Sequence, residues 1–202
     1  MSGNLQNNMR HADRGFTMLE LAVVITLIGI LVGVFIGPSS SLIISMRQSA
    51  AAAEVEREIL AARSRAVAEG RPVGVYITGS TIDGTLSSLA TTAGITASTY
   101  GLYPLELASS TSGSARISTS VIDSAAAPGT YSIAARFPGV IITSITGGSM
   151  AGTAIWFATD GTPEIRSFSG SRSGLQTSDI DILLSGGAHI IVRAGSGLVE
   201  VQ

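Results

Sequence analysis

Twenty-six consecutive residues, Leu21 to Met46, carry no charged side chain. The densest part, Leu21–Ile36, is apolar almost throughout and shows no helical stripe. A helix that is apolar all round needs lipid or a deep protein interior around it. About 20 residues at roughly 1.5 Å each cross the hydrocarbon layer of a bilayer, so this run is long enough to span one. A buried core helix is the competing reading, but no other segment is apolar enough to enclose it. The run is also too long for a secretory h-region of about 7–15 residues. It has no clear small-x-small exit and continues through Pro38 and Leu42 to Arg47. Met1–Arg14 is mildly basic, which suits a cytoplasmic flank. Glu20 is the anomaly: a carboxylate at the start of an apolar span costs about 2.5 kcal/mol or more unless paired.

Composition narrows the function from another side. All 12 basic residues are Arg, with no Lys anywhere, which excludes the Walker A loop and Schiff-base chemistry. With no Cys there are no disulfides, thiolate zinc sites or thiol nucleophiles. Two His leave little for a metal site or a triad, and the net charge of −2 gives no electrostatic footprint for nucleic acid. The composition argues against an enzyme.

Arg14-Gly15-Phe16-Thr17-Met18-Leu19-Glu20-Leu21, followed at once by the apolar run, resembles the class III signal of type IV pilins and pseudopilins. The resemblance implies that a prepilin peptidase cuts between Gly15 and Phe16 and methylates the new amine of Phe16. The mature chain then has 202 − 15 = 187 residues, with Glu20 as its fifth. The leader carries two Arg and one Asp, +1 in all, so the mature chain is −2 − 1 = −3. In such a chain the Glu20 carboxylate pairs with the Phe16 amine of a neighbouring subunit, so that each buried charge is satisfied only on assembly. The alternative is that Glu20 merely snorkels to the interface.

The helix is expected to run from Thr17 to Glu69, 53 residues or roughly 80 Å. Gly29, Gly33 and Gly37 give it one small face, which is either a close-packing surface or tolerated glycine in a span. Pro38 is expected to break or kink it. Beyond Arg47 it becomes amphipathic: Val55, Ile59, Ala62 and Ala66 form one stripe, with Leu60 and Val67 beside it. Glu54, Arg57, Glu58 and Arg65 read as a solvated outer side. Gly70 and Arg71-Pro72 end the helix.

After Pro72 short β-type runs alternate with Gly, Ser and Asp. The candidates are Val73–Thr78, Tyr100–Leu107, Arg116–Ile122, Tyr131–Arg136, Val140–Ile145, Ala154–Ala158, Glu164–Phe168, Asp179–Leu184, His189–Arg193 and Leu198–Val201. Asp160-Gly161 and Gly195-Ser196-Gly197 are hairpin signals. Ser and Thr supply 46 of the 202 residues, concentrated from Thr78 to Ser149, which favours exposed strands and loops there. Four features are similar to the GspH/FimT family of minor pseudopilins and minor pilins. They are the helix end Ala62-Arg63-Ser64-Arg65-Ala66, the turn Gly70–Val73, the hairpin Trp156–Gly161 and the final strand pair His189–Val201. Residues 79–149 depart from that family in being long and Ser/Thr-rich.

The expected fold is α+β, a long N-terminal helix, transmembrane then amphipathic, packed on a C-terminal antiparallel β domain, pilin-like in the terms of the resemblance. The expected segments are a leader at 1–15, a transmembrane or filament-core helix at 16–46, an amphipathic helix at 47–70 and a β-rich head at 71–202. No cofactor, metal or catalytic residue is expected. Asp179, Asp181 and Asp160 lack the oxygens of a calcium site, and His189 reads as structural. Gly147-Gly148 and Gly186-Gly187 read as turns, and no nucleophile elbow is present. The resemblance implies other pilin or pseudopilin subunits, the prepilin peptidase and an inner-membrane assembly platform as partners. It places the precursor in the inner membrane as a single-pass protein, its head in the periplasm or outside, and later in a filament. A DNA-uptake or adhesion module on a pilus is a second reading, for which the scattered Arg166, Arg172 and Arg193 give a weak basic signal. A signal-anchored envelope enzyme is a third, with no constellation to support it.

Overall fold

The computed structural model describes residues 16–108, 113–118, 132–147 and 154–202, with the helical backbone only for 34–40. One helix, α1 (Met18–Glu69), occupies the first third of the described chain. It begins one residue later than expected and ends where expected, at Gly70 with φ +61°. Then follow β1 (Val73–Ile77), α2 (Gly84–Ala93), β2 (Leu102–Leu107), β3 (Ala115–Ile117) and the short α3 (Ile133–Arg136). The remaining strands are β4 (Ile142–Thr146), β5 (Ala154–Phe157), β6 (Pro163–Arg166), β7 (Arg172–Leu175), β8 (Ile180–Leu184), β9 (His189–Val192) and β10 (Val199–Val201). The chain divides into two compact units between Leu42 and Ile43.

In the first unit the side chains of Met18, Leu21, Ile25, Ile28 and Leu31 are exposed, as are their neighbours round the helix. Among the described residues no helix is long and apolar enough to cross a membrane; the described apolar side chains of this unit run from Met18 to Val32 and resume only at Leu42. Thr26 turns its hydroxyl back onto the Ala22 carbonyl at 2.8 Å, hiding its one polar group. A Cβ added to Gly29 or Gly33 would meet nothing within 4 Å, so this chain's own packing does not demand glycine there. The backbone of α1 stays helical through Pro38, so the expected break does not fall there. The side chain at Pro38 and the position of Gly37 on a small face lie outside the described residues.

The second unit is α+β with all strand pairs antiparallel. One sheet has the order β3-β2-β1-β5-β6-β7, the other β10-β9-β8-β4. β1 is buried on both faces and organises the unit. Val73, Val75 and Ile77 face the larger core, which holds the α1 residues Ala51, Val55, Ile59, Ala62 and Ala66 and the inner face of the second sheet. Tyr76 belongs to a second core with Leu86 and Ala90 of α2, Tyr103, Leu105 and Trp156. Gly74 lies opposite Trp156, and a Cβ on it would come within 2.8 Å of the indole ring. Glycine there lets the largest buried side chain lie across the strand. The β6–β7 turn reaches back across the first sheet: the Ala115 amide of β3 donates to the Phe168 carbonyl at 2.7 Å, and Phe168 packs on Tyr76 of β1 with ring centroids 5.5 Å apart.

Both expected hairpins form. Ala158 N–H bonds the Thr162 carbonyl around Gly161, and Arg193 N–H bonds the Leu198 carbonyl around Gly195–Gly197. Three expectations for this unit need correction. Residues 84–93, in the Ser/Thr-rich stretch, form a helix, capped by Asp83 accepting from the Leu86 amide at 2.7 Å and ended by Gly94 at φ +72°. Residues 133–136, expected as part of a strand, form one helical turn because the Ser132 hydroxyl caps Ala135. A strand not foreseen, β7, completes the first sheet beside β6. The parts of the expected strands at 119–122 and 131 lie outside the described residues.

Candidate functional site

The N-terminal segment is a capping box. The Thr17 hydroxyl accepts from the Glu20 amide at 3.2 Å, while the Glu20 carboxylate accepts from the Thr17 amide at 3.2 Å and its hydroxyl at 3.3 Å. Two helix-start amides are thereby satisfied reciprocally, and α1 starts at Met18. Phe16 stands before the cap, 80% exposed. Sequence reasoning missed this role of Glu20, although Thr-x-x-Glu ahead of an apolar run is its signature. Gly15 lies outside the described residues. Among the described residues Glu20 meets no cation.

The second functional element is the seat of α1 on the head. The foreseen stripe is fully buried: Val55, Ile59 and Ala66 are 0% exposed and Ala62 is 4%. Leu60 and Val67, placed beside it, remain on the surface. Polar ties from distant turns frame this seat. Arg47 donates to the Pro138 carbonyl at 3.2 Å, Arg136 pairs with Glu54, and Arg63 donates to the Gly161 and Ser196 carbonyls at 3.2 and 3.0 Å. The Gln48 side-chain amide lies against Gly186, whose φ of +96° is a left-handed conformation that favours glycine.

The outer side of the helix is therefore not simply a solvated face. Arg65 and Arg71 reach Glu69, and both, with Arg116, surround the buried Glu106 carboxylate at 2.8–3.8 Å. Burial works against Glu69 ionising, yet the bonds from Arg71 and Arg65 outweigh it and hold its carboxyl below the usual range.

The residues set aside as sites have partners within the chain. Asp179 accepts from the Ala194 amide at 2.8 Å and from Arg193 at 2.7 Å. His189 meets Asp181 at 3.0 Å. Arg166 and Arg172 both grip the buried Glu164, at 2.8 and 2.9 Å. Among the described residues no group of His, Cys, Asp or Glu is placed to hold a metal ion. Each of the ten described Arg is engaged by a carboxylate or a carbonyl of its own chain. A cleft between the β1–α2 loop and β4 is lined by Thr78, Ser80, Thr81, Asp83, Thr143 and Ser144.

Residues 10–36 match the prokaryotic N-terminal methylation motif. This motif covers the charged flank, the Gly15–Phe16 junction, Glu20 and the start of the apolar run, and it is a small part of the chain. No curated protein matches the chain. The chain is similar to the crystal structure of the type IV minor pilin FimU of Pseudomonas aeruginosa, with 15% identity, 76% of this chain and 91% of that chain covered, and a TM-score of 0.41. At that level of similarity the architecture rests on this chain's own strand order and helix.

Proposed function

We propose that the protein is a non-catalytic structural subunit of a type IV filament, made as a precursor whose residues 1–15 are a leader. A prepilin peptidase cuts between Gly15 and Phe16 and methylates Phe16. Residues 16–46 anchor the precursor in the inner membrane as a single pass and then enter the filament core. Residues 47–70 tie that helix to the head, 71–202, in the periplasm or outside. The carrying observation is the methylation motif over residues 10–36, supported by the 26-residue neutral run that follows Glu20. Within this class a minor pseudopilin of type II secretion or a minor type IV pilin fits the four head and helix-end features. Genes for a secretin, a secretion ATPase and further pseudopilins beside this one favour the first, and pilus assembly and retraction genes the second. The partners are other pilin or pseudopilin subunits, the peptidase and the inner-membrane assembly platform. Engagement of the described Arg within the chain tells against a DNA-uptake role.

The deciding experiment is intact-mass analysis or N-terminal sequencing of the assembled protein. The expected N-terminus is Phe16, methylated, and Gly15→Ala leaves uncut precursor in the membrane. Retention of Met1 in filaments, or a cut after residue 40, refutes the reading.

A further inference from the structure

The edge strands of the two sheets are not alike. β3, β7 and β10 each carry a charged residue: Arg116, Arg172 and Glu200. β4 carries none, and no charged residue lies between Arg136 and Asp160. Charge on an edge is a common guard against the addition of a further strand. Residues 140–146 instead read Val-Ile-Ile-Thr-Ser-Ile-Thr, six of seven β-branched, with no Pro and no Gly. That composition favours pairing with another extended chain. The one irregularity of β4 is a bulge between Ile142 and Ser144, where the Thr143 hydroxyl donates to the Leu183 carbonyl of β8 at 3.0 Å.

The cleft beside β4 has a volume of about 290 Å³, and residues 78–83 form its far wall. Ile142, Thr143, Ser144 and Ile145 all line it. Side chains along a strand alternate between the two faces of its sheet, so a lining of four consecutive residues places the cleft at the free edge of β4. The far wall limits what can enter. One extended chain fits beside β4, whereas the sheet of a second copy would run into residues 78–83. The hydroxyls of Ser80, Thr81 and Ser144 have no partner among the described residues. Asp83 is the one charged residue among those lining the cleft; it accepts from the Leu86 amide and the Tyr76 hydroxyl. A carboxylate that accepts two bonds keeps capacity for more.

We propose that β4 is an acceptor edge. An extended segment of another protein, uncharged except for a basic residue facing Asp83, adds as a strand between β4 and residues 78–83. Backbone hydrogen bonds to the edge supply the affinity, and the free hydroxyls and Asp83 select the side chains. The site lies within the head and does not depend on the filament reading.

The probe is a capped fluorescent peptide, Val-Thr-Val-Thr-Val-Thr-Arg, titrated into the full-length protein in detergent micelles. Its anisotropy is expected to saturate below about 1 mM. The same peptide with methylated backbone amides is expected to bind at least about ten-fold more weakly, as is a version ending in Glu. Ser144→Arg and Thr81→Arg, at exposed positions on opposite walls, are expected to remove binding at an unchanged Tm. Ser173→Arg, on the edge strand that already carries Arg172, is expected to keep it. Thr81→Arg carries the test if Ser144→Arg fails to fold. Absence of saturation overturns the proposal, as does equal binding of the methylated or acidic peptide, or wild-type binding by folded Thr81→Arg protein. The chain has no Cys, so Ser144→Cys reports self-pairing without background. A disulfide-linked dimer on oxidation puts a second copy at the edge and also overturns the proposal.

Discussion

Replacing Glu20 by Gln and by Ala separates the capping role that the structure gives this carboxylate from the assembly role proposed for it. The first is local: Glu20 accepts from the Thr17 amide and hydroxyl at 3.2 and 3.3 Å. Gln supplies an acceptor oxygen at the same place and keeps the capping box, whereas Ala orphans the Thr17 amide and costs the helix start about 1 kcal/mol. The second, proposed role is electrostatic and belongs to assembly. An ionised carboxylate at the edge of the neutral run costs at least about 2.5 kcal/mol, and in the proposed filament the cation that would offset it is the Phe16 amine of a neighbour. At about 1.4 kcal/mol per factor of ten, losing that offset lowers incorporation roughly 60-fold. Both variants are therefore expected to insert and be cut normally, yet enter the filament poorly. Only Ala is expected to speed amide exchange at Thr17–Leu21. The assay compares processed protein in membrane and sheared-filament fractions for wild type, Glu20→Gln and Glu20→Ala. If Glu20→Gln assembles like wild type while Glu20→Ala does not, capping alone explains the residue and the charge-pairing argument is wrong.

Two further outcomes concern the head. Ile59 is fully buried in the larger core, so Ile59→Ala is expected to destabilise the protein by about 2–5 kcal/mol and Ile59→Asp to prevent folding; a soluble Ile59→Asp protein with an unchanged Tm would remove the seat assigned to α1. The Ala194 amide, with Arg193, holds the Asp179 carboxyl below its ordinary range. A depressed carboxyl stabilises the fold above its unfolded pKa of about 3.9 and loses that contribution as pH falls. Asp179→Asn should therefore flatten the fall of Tm on acidification below about pH 4, and a curve parallel to wild type would contradict the bond.

Much of this structure was legible in the residues. The continuous helix shows in the neutral run joined to a strong helix former, and its buried face in Val55, Ile59, Ala62 and Ala66 at helical spacing. Asp160-Gly161 and Gly195–Gly197 announced their hairpins by turn chemistry. The failures have local causes. Asp83 and Gly94 are a readable cap pair, but the Ser/Thr content between them has low helix propensity and masked α2. Arg172–Leu175 lacks alternation, so β7 is defined by pairing with β6 and by Glu164, which no window on its own sequence reveals. Ion partners were invisible for another reason. Arg136 meets Glu54 across 82 residues, and Arg71 meets Glu106 across 35, separations no short-range pattern records. The capping box, by contrast, is readable in Thr17-x-x-Glu20, a pattern that coincides with the pilin-like signal at the same residues.

The capture of every described Arg has a consequence for resistance to proteolysis. Trypsin-like proteases cleave after Lys or Arg, and this chain has no Lys. To enter such an enzyme's specificity pocket an Arg must first leave its partners and its backbone must become extended. Here Arg166 is buried against Glu164, Arg63 is clasped by two turn carbonyls, and Arg193 is held by Asp179 and Glu200. Guanidinium groups do not lose their charge at any ordinary pH. Cleavage at these sites then has to wait for local unfolding, whose rate is set by the fold and not by the protease.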